Sequence, residues 1–168
     1  LSTVGFQYTR KSADVTSYSS FSEPPVTKYD PSREDYGVYA QEQVRLFEDN
    51  LILLGAVRYD NDQQFGNVTS PTAAMAVRLP WQPIPGWWTG TRLRTTYAEG
   101  FRAPTFNELF FPGFGNPNLD PERSSEWNAG FDVELLDGRA LVYSTYFDRR
   151  VKDDIVTVLV DPDTFEFA

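Results

Sequence analysis

The residue types that most often carry out catalysis are absent from this chain or are not arranged for it. Its 168 residues include neither histidine nor cysteine, which excludes an ordinary zinc site, a histidine-based triad and a cysteine nucleophile. Carboxylates are plentiful, but nothing marks out one pair as the acid and base of a glycoside hydrolase. We therefore expect no catalytic residue, no cofactor and no enzyme activity.

Two short acidic runs offer hard oxygen ligands of the kind that calcium prefers. The first holds Asp60, Asn61 and Asp62, and the second holds Asp161 and Asp163. Neither continues into the glycine and glutamate pattern of an EF-hand loop. We therefore expect no metal site.

The best candidates for contact with a ligand lie in one segment rich in proline and glycine. Its four phenylalanines can form an aromatic platform for a bound molecule, or a small core within the loop itself. Its two asparagines can accept hydrogen bonds from their own backbone in Asx turns. The candidate ligand-binding residues are Phe106, Phe110, Phe111, Phe114, Asn116 and Asn118.

Composition narrows the kind of fold that positions these residues. The formal net charge of -9 argues against nucleic acid as a partner, because phosphate binding needs a basic surface. Aromatic residues make up 15% of the chain, although its mean hydropathy is only -0.43. That mixture favours a sheet with one apolar and one wet face. No segment approaches the roughly 18 consecutive apolar residues of a membrane helix.

Alternation of apolar and polar residues predicts about seven antiparallel strands, each of roughly ten residues. The clearest case is the segment that holds Trp127, Ala129 and Phe131 on one side and Asn128 and Asp132 on the other. The predicted strands cover residues 4–9, 36–47, 51–59, 72–79, 88–99, 126–135 and 139–150, with 155–160 extending or following the last.

The connections between these strands are predicted to alternate between long and short. The expected long connections are 12–34, 60–67 and a segment of roughly two dozen residues that ends near Ser124. The expected tight turns are 49–50, 80–86 and 137–138. Outer-membrane barrels show this asymmetry, with long extracellular loops and short periplasmic turns. On this interpretation Trp81, Trp87 and Trp88 lie in a periplasmic aromatic girdle.

Four stretches resemble, in order, sequence signatures of TonB-dependent receptors. Residues 55–60, GAVRYD, are similar to a strand end of that family, and residues 97–110, YAEGFRAPTFNELF, to its strand-to-loop signature. Residues 115–127, GNPNLDPERSSEW, resemble the family's GNPNL-x-PE-(K/R)-S run, and residues 146–155, YFDRRVKDDI, resemble a later strand. Together the four stretches are specific for this family.

The resemblance implies an all-β fold: an antiparallel up-and-down meander that forms part of a transmembrane barrel of about 22 strands with a plugged lumen. Residues 1–168 would be an internal part of that barrel domain. The plug domain, the short TonB box and the end of the barrel are expected to lie outside this chain. The implied location is the cell outer membrane of a Gram-negative bacterium.

The function that the resemblance implies is active import of a scarce, large nutrient such as a ferric siderophore or cobalamin. The implied partners are the lipid bilayer, the metal-chelate ligand and the TonB complex, which would act through the N-terminal part of the receptor. Inward-facing arginines could steer an anionic ligand, but pairing with Asp and Glu on neighbouring strands is the favoured interpretation. These arginines are Arg45, Arg58, Arg78, Arg92 and Arg94.

Two alternatives stay open at this point. One is a soluble or peripheral all-β module, for example a sandwich that binds carbohydrate through its aromatic residues. It predicts that the apolar faces around Tyr36, Leu51 and Trp127 converge on one core, whereas a transporter barrel predicts a continuous outward band. The other alternative is a passive porin, which would need no plug and no TonB box.

Overall fold

The computed structural model describes residues 1–18, 26–80, 82–111, 115–156, 159–161 and 166–167. Its elements are β1 (Ser2–Ser12), β2 (Val15–Tyr18), β3 (Val26–Tyr29), β4 (Ser32–Leu46), β5 (Leu51–Asp62), β6 (Gly66–Leu79), β7 (Trp88–Arg102), α1 (Phe106–Phe110), β8 (Glu122–Leu135), β9 (Ala140–Lys152), β10 (Leu159–Asp161) and β11 (Glu166–Phe167). No helix in these ranges is long and apolar enough to cross a membrane.

Seven of the strands form one antiparallel sheet in the order β1, β4, β5, β6, β7, β8, β9. Two further antiparallel pairs, β2 with β3 and β10 with β11, form separate two-stranded sheets. Every pairing in the large sheet is antiparallel, so the chain runs up and down through it. The predicted all-β antiparallel meander is confirmed.

The predicted alternation of long and short connections is only partly right. Residues 60–62 belong to β5, and only residues 63–65 separate β5 from β6, so the long connection expected at 60–67 is wrong. The Asp62 carboxylate closes this turn, because its Oδ1 accepts hydrogen bonds from the N–H groups of Gln64 (2.9 Å) and Phe65 (3.1 Å). Gly66 follows with a φ of 76°, which glycine adopts without strain.

The tight turn predicted at 137–138 is present, but it is longer than two residues, because residues 136–139 connect Leu135 of β8 to its partner Ala140 of β9. Asp137 and Gly138 have positive φ, 55° and 81°, as the central residues of a type I′ turn require, and Leu136 before them also has a positive φ of 55°. The N–H of Arg139 donates to the carbonyl of Leu136 at 3.2 Å and closes the hairpin between β8 and β9. The turn between β4 and β5 is also tight, and Asn50 donates from its backbone and its amide to the Phe47 carbonyl.

Exposure along the strands is the reverse of that in a soluble protein. In β5 the apolar residues Leu53, Val57 and Tyr59 are exposed, whereas the residues that alternate with them, including Arg58 and Asp60, are half-buried. The register places exposed apolar residues beside one another on neighbouring strands, and polar residues likewise. We call this side the apolar face and the other the polar face. The apolar face includes Val4, Phe6, Val38, Val44, Leu53, Val57, Met75, Leu93, Phe131 and Tyr146.

The described residues bury very little apolar side chain. Val68, Leu109 and Val133 are the buried hydrophobic residues among them. Tyr36 and Trp127 are both 45% exposed and lie on strands of the same sheet. The shared core that a sandwich requires is therefore contradicted, and the apolar residues form a continuous band instead.

Aromatic residues of the apolar face form a row toward the end of the sheet at which β1, β5, β7 and β9 finish. This row consists of Tyr8, Tyr36, Tyr59, Tyr97, Trp127 and Tyr146, each at least 36% exposed. Trp87 and Trp88 lie at the opposite end, where β7 begins, and Trp88 donates from Nε1 to Thr91 Oγ1 at 2.8 Å. Trp81, the third residue of the expected girdle, lies outside the described residues.

Candidate functional site

Three connections meet at the end of the sheet where β1, β5, β7 and β9 finish, which we call the loop end. They are the turn 63–65, the connection 103–121 with α1, and the entry into β4. The contacts between them are made by a few charged side chains that are far apart in sequence. These contacts decide which candidate residues can face a ligand.

Arg33 is the centre of the loop end. Its side chain is only 4% exposed, and its Nε lies 3.3 Å from Oδ2 of Asp62, which is 5% exposed. Its Nη1 donates to the carbonyl of Pro104 at 3.0 Å. The guanidinium carbon lies 5.3 Å from the ring centroid of Phe65 and 5.5 Å from that of Phe106, within the range of cation–π contacts. One buried side chain thus joins β4, the 63–65 turn and the 103–121 connection.

The helix α1 begins with a capping box. Thr105 is the N-cap: its Oγ1 accepts from the N–H of Glu108 at 3.3 Å, and its own N–H donates to Glu108 Oε2 at 2.6 Å. Two backbone N–H groups that would otherwise lack a partner are satisfied in this way. Leu109, which is 1% exposed, is the buried residue of this helix.

Arg102 holds the same helix to both of its neighbouring strands. Its Nε and Nη2 donate to Glu122 at 2.6 and 2.5 Å, which is the two-pronged geometry of a strong arginine–carboxylate pair. Its Nη1 donates to Oε1 of Glu108 at 3.0 Å. Glu122 also accepts from the N–H of Ile155 at 3.0 Å, so the segment after β9 joins the same group.

The charge state of Glu108 is set by this arrangement. Partial burial raises the pKa of its carboxyl, but the hydrogen bonds from the backbone and hydroxyl of Thr105 and from Arg102 lower it more. The net result is a pKa below the usual 4.5, so Glu108 is ionised at neutral pH. An ionised Glu108 is the form that can accept from both Thr105 and Arg102.

Two open clefts lie beside these contacts. The first, of about 380 Å³, is on the polar face and includes both signs of charge, with Lys11, Arg58 and Arg102 opposite Asp35 and Asp60. The second, of about 510 Å³, is lined by aromatic and basic groups with hydroxyls between them. Its lining includes Arg10, Lys11, Ser12, Arg33, Thr105 and Phe106. Arg10 and Lys11 pair with Glu34 at 3.7 Å and Asp35 at 3.3 Å, but both cations are exposed and could contact an anionic ligand, while Phe106 could contact a flat one.

The structure places the predicted phenylalanines in different environments. Phe106 packs against Arg33 and lines the second cleft, so it belongs both to the loop core and to a surface. Phe110, at the end of α1, is 36% exposed, and Phe111 is half-buried with its N–H donating to the Asn107 carbonyl. Phe114 lies outside the described residues.

The asparagines form the predicted turn. Asn116 Oδ1 accepts from the N–H of Asn118 at 3.0 Å, which confirms the expected Asx turn at Asn116. The N–H of Asn116 donates to the carbonyl of Glu108 at 2.8 Å and ties the turn to α1. Both asparagine side chains are exposed. Gly115 is needed beside them because a Cβ there would lie 2.5 Å from the backbone nitrogen of Phe111.

On the polar face, the arginines pair only in part as the sequence predicts. Arg94 Nε lies 3.2 Å from Asp132 Oδ1 and Arg78 Nη2 lies 3.2 Å from Glu134 Oε1, both across strands. Arg58 instead pairs within its own strand, at 2.6 Å from Asp60. Pairing between neighbouring strands is therefore confirmed for Arg94, whereas Arg78 on β6 reaches Glu134 on β8, beyond the intervening β7. Arg45 contacts Asp49 of the adjoining turn at 3.6 Å, an exposed pair.

In the described residues no group of three suitable metal ligands occurs, and Asp163 of the second acidic run lies outside them. Asp60 is occupied by Arg58, and Asp62 by Arg33 and the turn backbone. The roles of Arg33, Arg102 and Glu122 are not predicted by the sequence pattern, because Arg33 pairs with Asp62 and Arg102 with Glu122 on other strands. One signal was available: Thr105 followed three residues later by Glu108 is a capping-box pattern.

Comparison with known proteins agrees with this architecture. Residues 1–168 match the model of the family described as TonB dependent receptor-like, beta-barrel. The chain therefore belongs to the TonB-dependent receptor β-barrel family. A solved structure with the same fold is the siderophore receptor PirA from Pseudomonas aeruginosa, with a TM-score of 0.72 and 21% identity. The match covers 94% of this chain and 28% of PirA, so the chain spans little more than a quarter of that receptor.

Proposed function

We propose that residues 1–168 are an internal arc of the barrel of an outer-membrane receptor in a Gram-negative bacterium. The receptor imports a scarce, large nutrient, a ferric siderophore or cobalamin, by active transport driven through the TonB complex. The chain supplies barrel wall and part of the extracellular mouth, and it carries out no bond-making chemistry. The family match over the whole chain supports this assignment.

The observation that carries the proposal is the reversed exposure of the sheet. Val57 and Phe131, on the apolar face, are 45% and 43% exposed, and they lie in a band that continues across neighbouring strands. In water such a band would be a site of aggregation, because large exposed apolar patches associate. Facing lipid it is stable, and the charged polar face then lines the lumen.

Ligand contact is assigned to the loop end. The candidates Phe106, Phe110, Phe111, Phe114, Asn116 and Asn118 share the 103–121 connection, and Phe106 lines a cleft with Arg10 and Lys11. An anionic metal chelate with flat ligand groups matches that lining, because arginine and lysine attract its charge and the ring packs on its flat groups.

Depth-resolved labelling of the full-length protein in outer membranes tests the wall. Single cysteines replace Val57 and Phe131 on the apolar face, and Thr96 and Asn128 on the polar face. We expect lipid-soluble oxygen to broaden the spectrum of nitroxides only at the first pair, and water-soluble reagents to reach only the second pair. Equal shielding of all four positions from lipid and water would refute a barrel wall.

Uptake tests the transport. Cells that express the full-length protein, and cells that lack it, receive radiolabelled ferric hydroxamate, ferric catecholate or cobalamin, with and without deletion of TonB. We expect uptake of one of these probes that requires both the protein and TonB. Uptake that continues without TonB would indicate a passive pore instead.

A further inference from the structure

A group of basic side chains lies on the apolar face of the sheet, at the loop end of β8 and β9. The register pairs Arg123 with Lys152 and Ser125 with Arg150. Alternation along each strand puts these residues on the same side as Trp127 and its neighbours. Arg123, Arg150 and Lys152 are exposed and line one open cleft of about 350 Å³.

The carboxylates near this cleft do not neutralise it. Glu99 lines the cleft and accepts from the hydroxyl of Tyr97 at 2.6 Å. Asp148 lies 3.6 Å from Arg150, whose side chain is nevertheless 80% exposed. In the described part of the chain, no salt bridge joins Arg123 or Lys152 to a carboxylate within 4.0 Å. Three cations therefore line the cleft with one carboxylate.

The position of the group relative to the apolar band identifies its partner. Next to it, toward the middle of the sheet, lies the aromatic pair Trp127 and Tyr146, with ring centroids 6.0 Å apart at 61°. Beyond that pair the face continues with Leu93 and Phe131. Aromatic residues mark the level of the interface in membrane proteins, and basic residues just outside it meet the charged headgroups.

We propose that Arg123, Arg150 and Lys152 form a binding site on the outer wall for the phosphate group of a membrane lipid, with the acyl chains lying along Trp127 and Phe131. This site rests on the proposed function, because it requires the apolar face to be in a bilayer. It is separate from the candidate ligand cleft that Arg10, Lys11 and Phe106 line, because the two clefts share no lining residue. The site fixes the strand ends at the headgroup level.

Lipid retention by the full-length protein in detergent tests the site. The protein is stripped of lipid and mixed with phosphatidic acid or with diacylglycerol of the same acyl chains, which lacks the phosphate. Retained lipid is counted by native mass spectrometry. The double variant R123Q/K152Q removes two cations, and Arg149→Gln is the control, because Arg149 is the polar-face neighbour of Arg150 and carries the same charge.

We expect the wild type and Arg149→Gln to retain phosphatidic acid in preference to diacylglycerol. In R123Q/K152Q we expect the affinity for phosphatidic acid to fall about thirty-fold, because the variant loses the binding free energy that two basic groups contribute at a membrane surface. Equal retention by the double variant and the wild type would overturn the site. The bound lipid can also be displaced with inorganic phosphate or with phosphatidic acid as competitor. If both displace it at the same concentration, the site binds a free anion and the lipid assignment is overturned.

A nitroxide at Phe131 in the same preparation, reconstituted in phosphatidylcholine vesicles, separates this inference from the proposed function. If oxygen reaches the nitroxide and the double variant keeps its lipid, only the phosphate site fails. If oxygen does not reach the nitroxide, the membrane wall itself fails, and the site fails with it.

Discussion

Arg33 at the loop end and Arg94 on the polar face of the wall are the same residue type in two different physical situations. Arg33 and its partner Asp62 are 4% and 5% exposed, and Arg33 contacts two rings and a backbone carbonyl besides. Arg94 and Asp132 are 38% and 20% exposed and in contact with solvent. A buried charge is stable only when its partners are present, because an unpaired buried charge is strongly destabilising. An exposed ion pair contributes little to the free energy of unfolding and is easily replaced. The loop end is therefore fixed by a few contacts, and the wall by its backbone pairing.

The wall also shows how arginines reach across a strand. Arg94 on β7 passes over Gly130 on β8 and donates to Thr145 Oγ1 on β9 at 2.6 Å. Arg58 on β5 passes over Gly37 on β4 and donates to Gln7 Oε1 on β1 at 3.1 Å. In both cases a glycine leaves the space that the guanidinium occupies.

The largest effect is expected from Arg33→Met. The change leaves Asp62 charged and buried, so we expect a loss of about 3–5 kcal/mol in the free energy of unfolding, or local unfolding of the loop end. Chemical denaturation of the full-length protein in detergent, with hydrogen exchange at residues 63–65, measures both. Arg94→Met is the control and should lose far less. Equal losses in the two variants would contradict the contrast between loop end and wall.

The double variant R33M/D62N sharpens the same point. It removes the buried charge of both partners, while the amide oxygen of asparagine can still accept from the 63–65 turn. We expect it to be more stable than Arg33→Met alone, because an unpaired buried charge is the main cost. If the double variant is no more stable than Arg33→Met, the loss of stability comes from lost packing against Phe65 and Phe106 and not from the unpaired charge.

Gly130→Ala tests the position at which the Arg94 side chain passes over β8. A Cβ there would lie 2.7 Å from the carbonyl oxygen of Ser144, which is backbone and cannot move aside, so we expect a loss of about 1–3 kcal/mol. Gly37→Ala is the matched change, because its nearest atoms belong to the flexible ends of Asp60 and Arg58. It should be less destabilising in the same denaturation experiment. If Gly37→Ala is the more destabilising change, the space that the arginine side chain needs, and not crowding against the backbone, determines the loss of stability.

A smaller and local effect is expected from Thr105→Ala, which removes the cap of α1. Loss of a helix cap costs about 1 kcal/mol. We expect faster hydrogen exchange in α1 and unchanged exchange in β8, and Thr105→Ser should restore the wild-type rate. Equal acceleration in β8 would mean that the helix and the sheet open together.

The same helix predicts a dependence on pH. The pKa of Glu108 is lowered in the folded protein, so its contribution to stability is present above its ordinary pKa of about 4.5 and is lost as the pH falls through the lower folded value. The protection of the α1 amides, that is their exchange rate relative to the unfolded chain at the same pH, should therefore decrease below pH 4.5 in the wild type. In Glu108→Gln this acid-dependent loss of protection should be smaller. If the response to acid is unchanged in that variant, other carboxylates cause it.

The smallest effect is expected from Arg94→Gln. An exposed pair contributes about 0.2–1 kcal/mol, and glutamine can still donate to Asp132 or Thr145. The denaturation midpoint should move little, and the remaining shift should shrink at high salt. A loss as large as that of Arg33→Met would show that the wall depends on its charges as much as the loop end does.

Period-two alternation was enough to predict the meander, because the side-chain face changes with every residue of a strand and one face must be apolar. It failed at Asp60 and Asp62, which look like a loop because they are charged. The structure pairs these carboxylates with Arg58 and Arg33, so a polar run continues β5. The pairing of Arg33 could not be predicted from local pattern, since its partners lie on other elements and depend on the register. The turn at Asn116 could be, because an Asx turn is formed within a few residues.

The up-and-down order of the sheet has a consequence for how the chain assembles. Four of the six strand pairings are joined by the connections 47–50, 63–65, 80–87 and 136–139, so hairpins can form from neighbouring segments. The other two, β1 with β4 and β7 with β8, must close residues 13–31 and 103–121. Closing a loop twice as long costs only about 0.6 kcal/mol more, but such contacts form later than local ones. The chain should therefore add hairpins one at a time, with β7 and β8 meeting late, when Arg102 can reach Glu122.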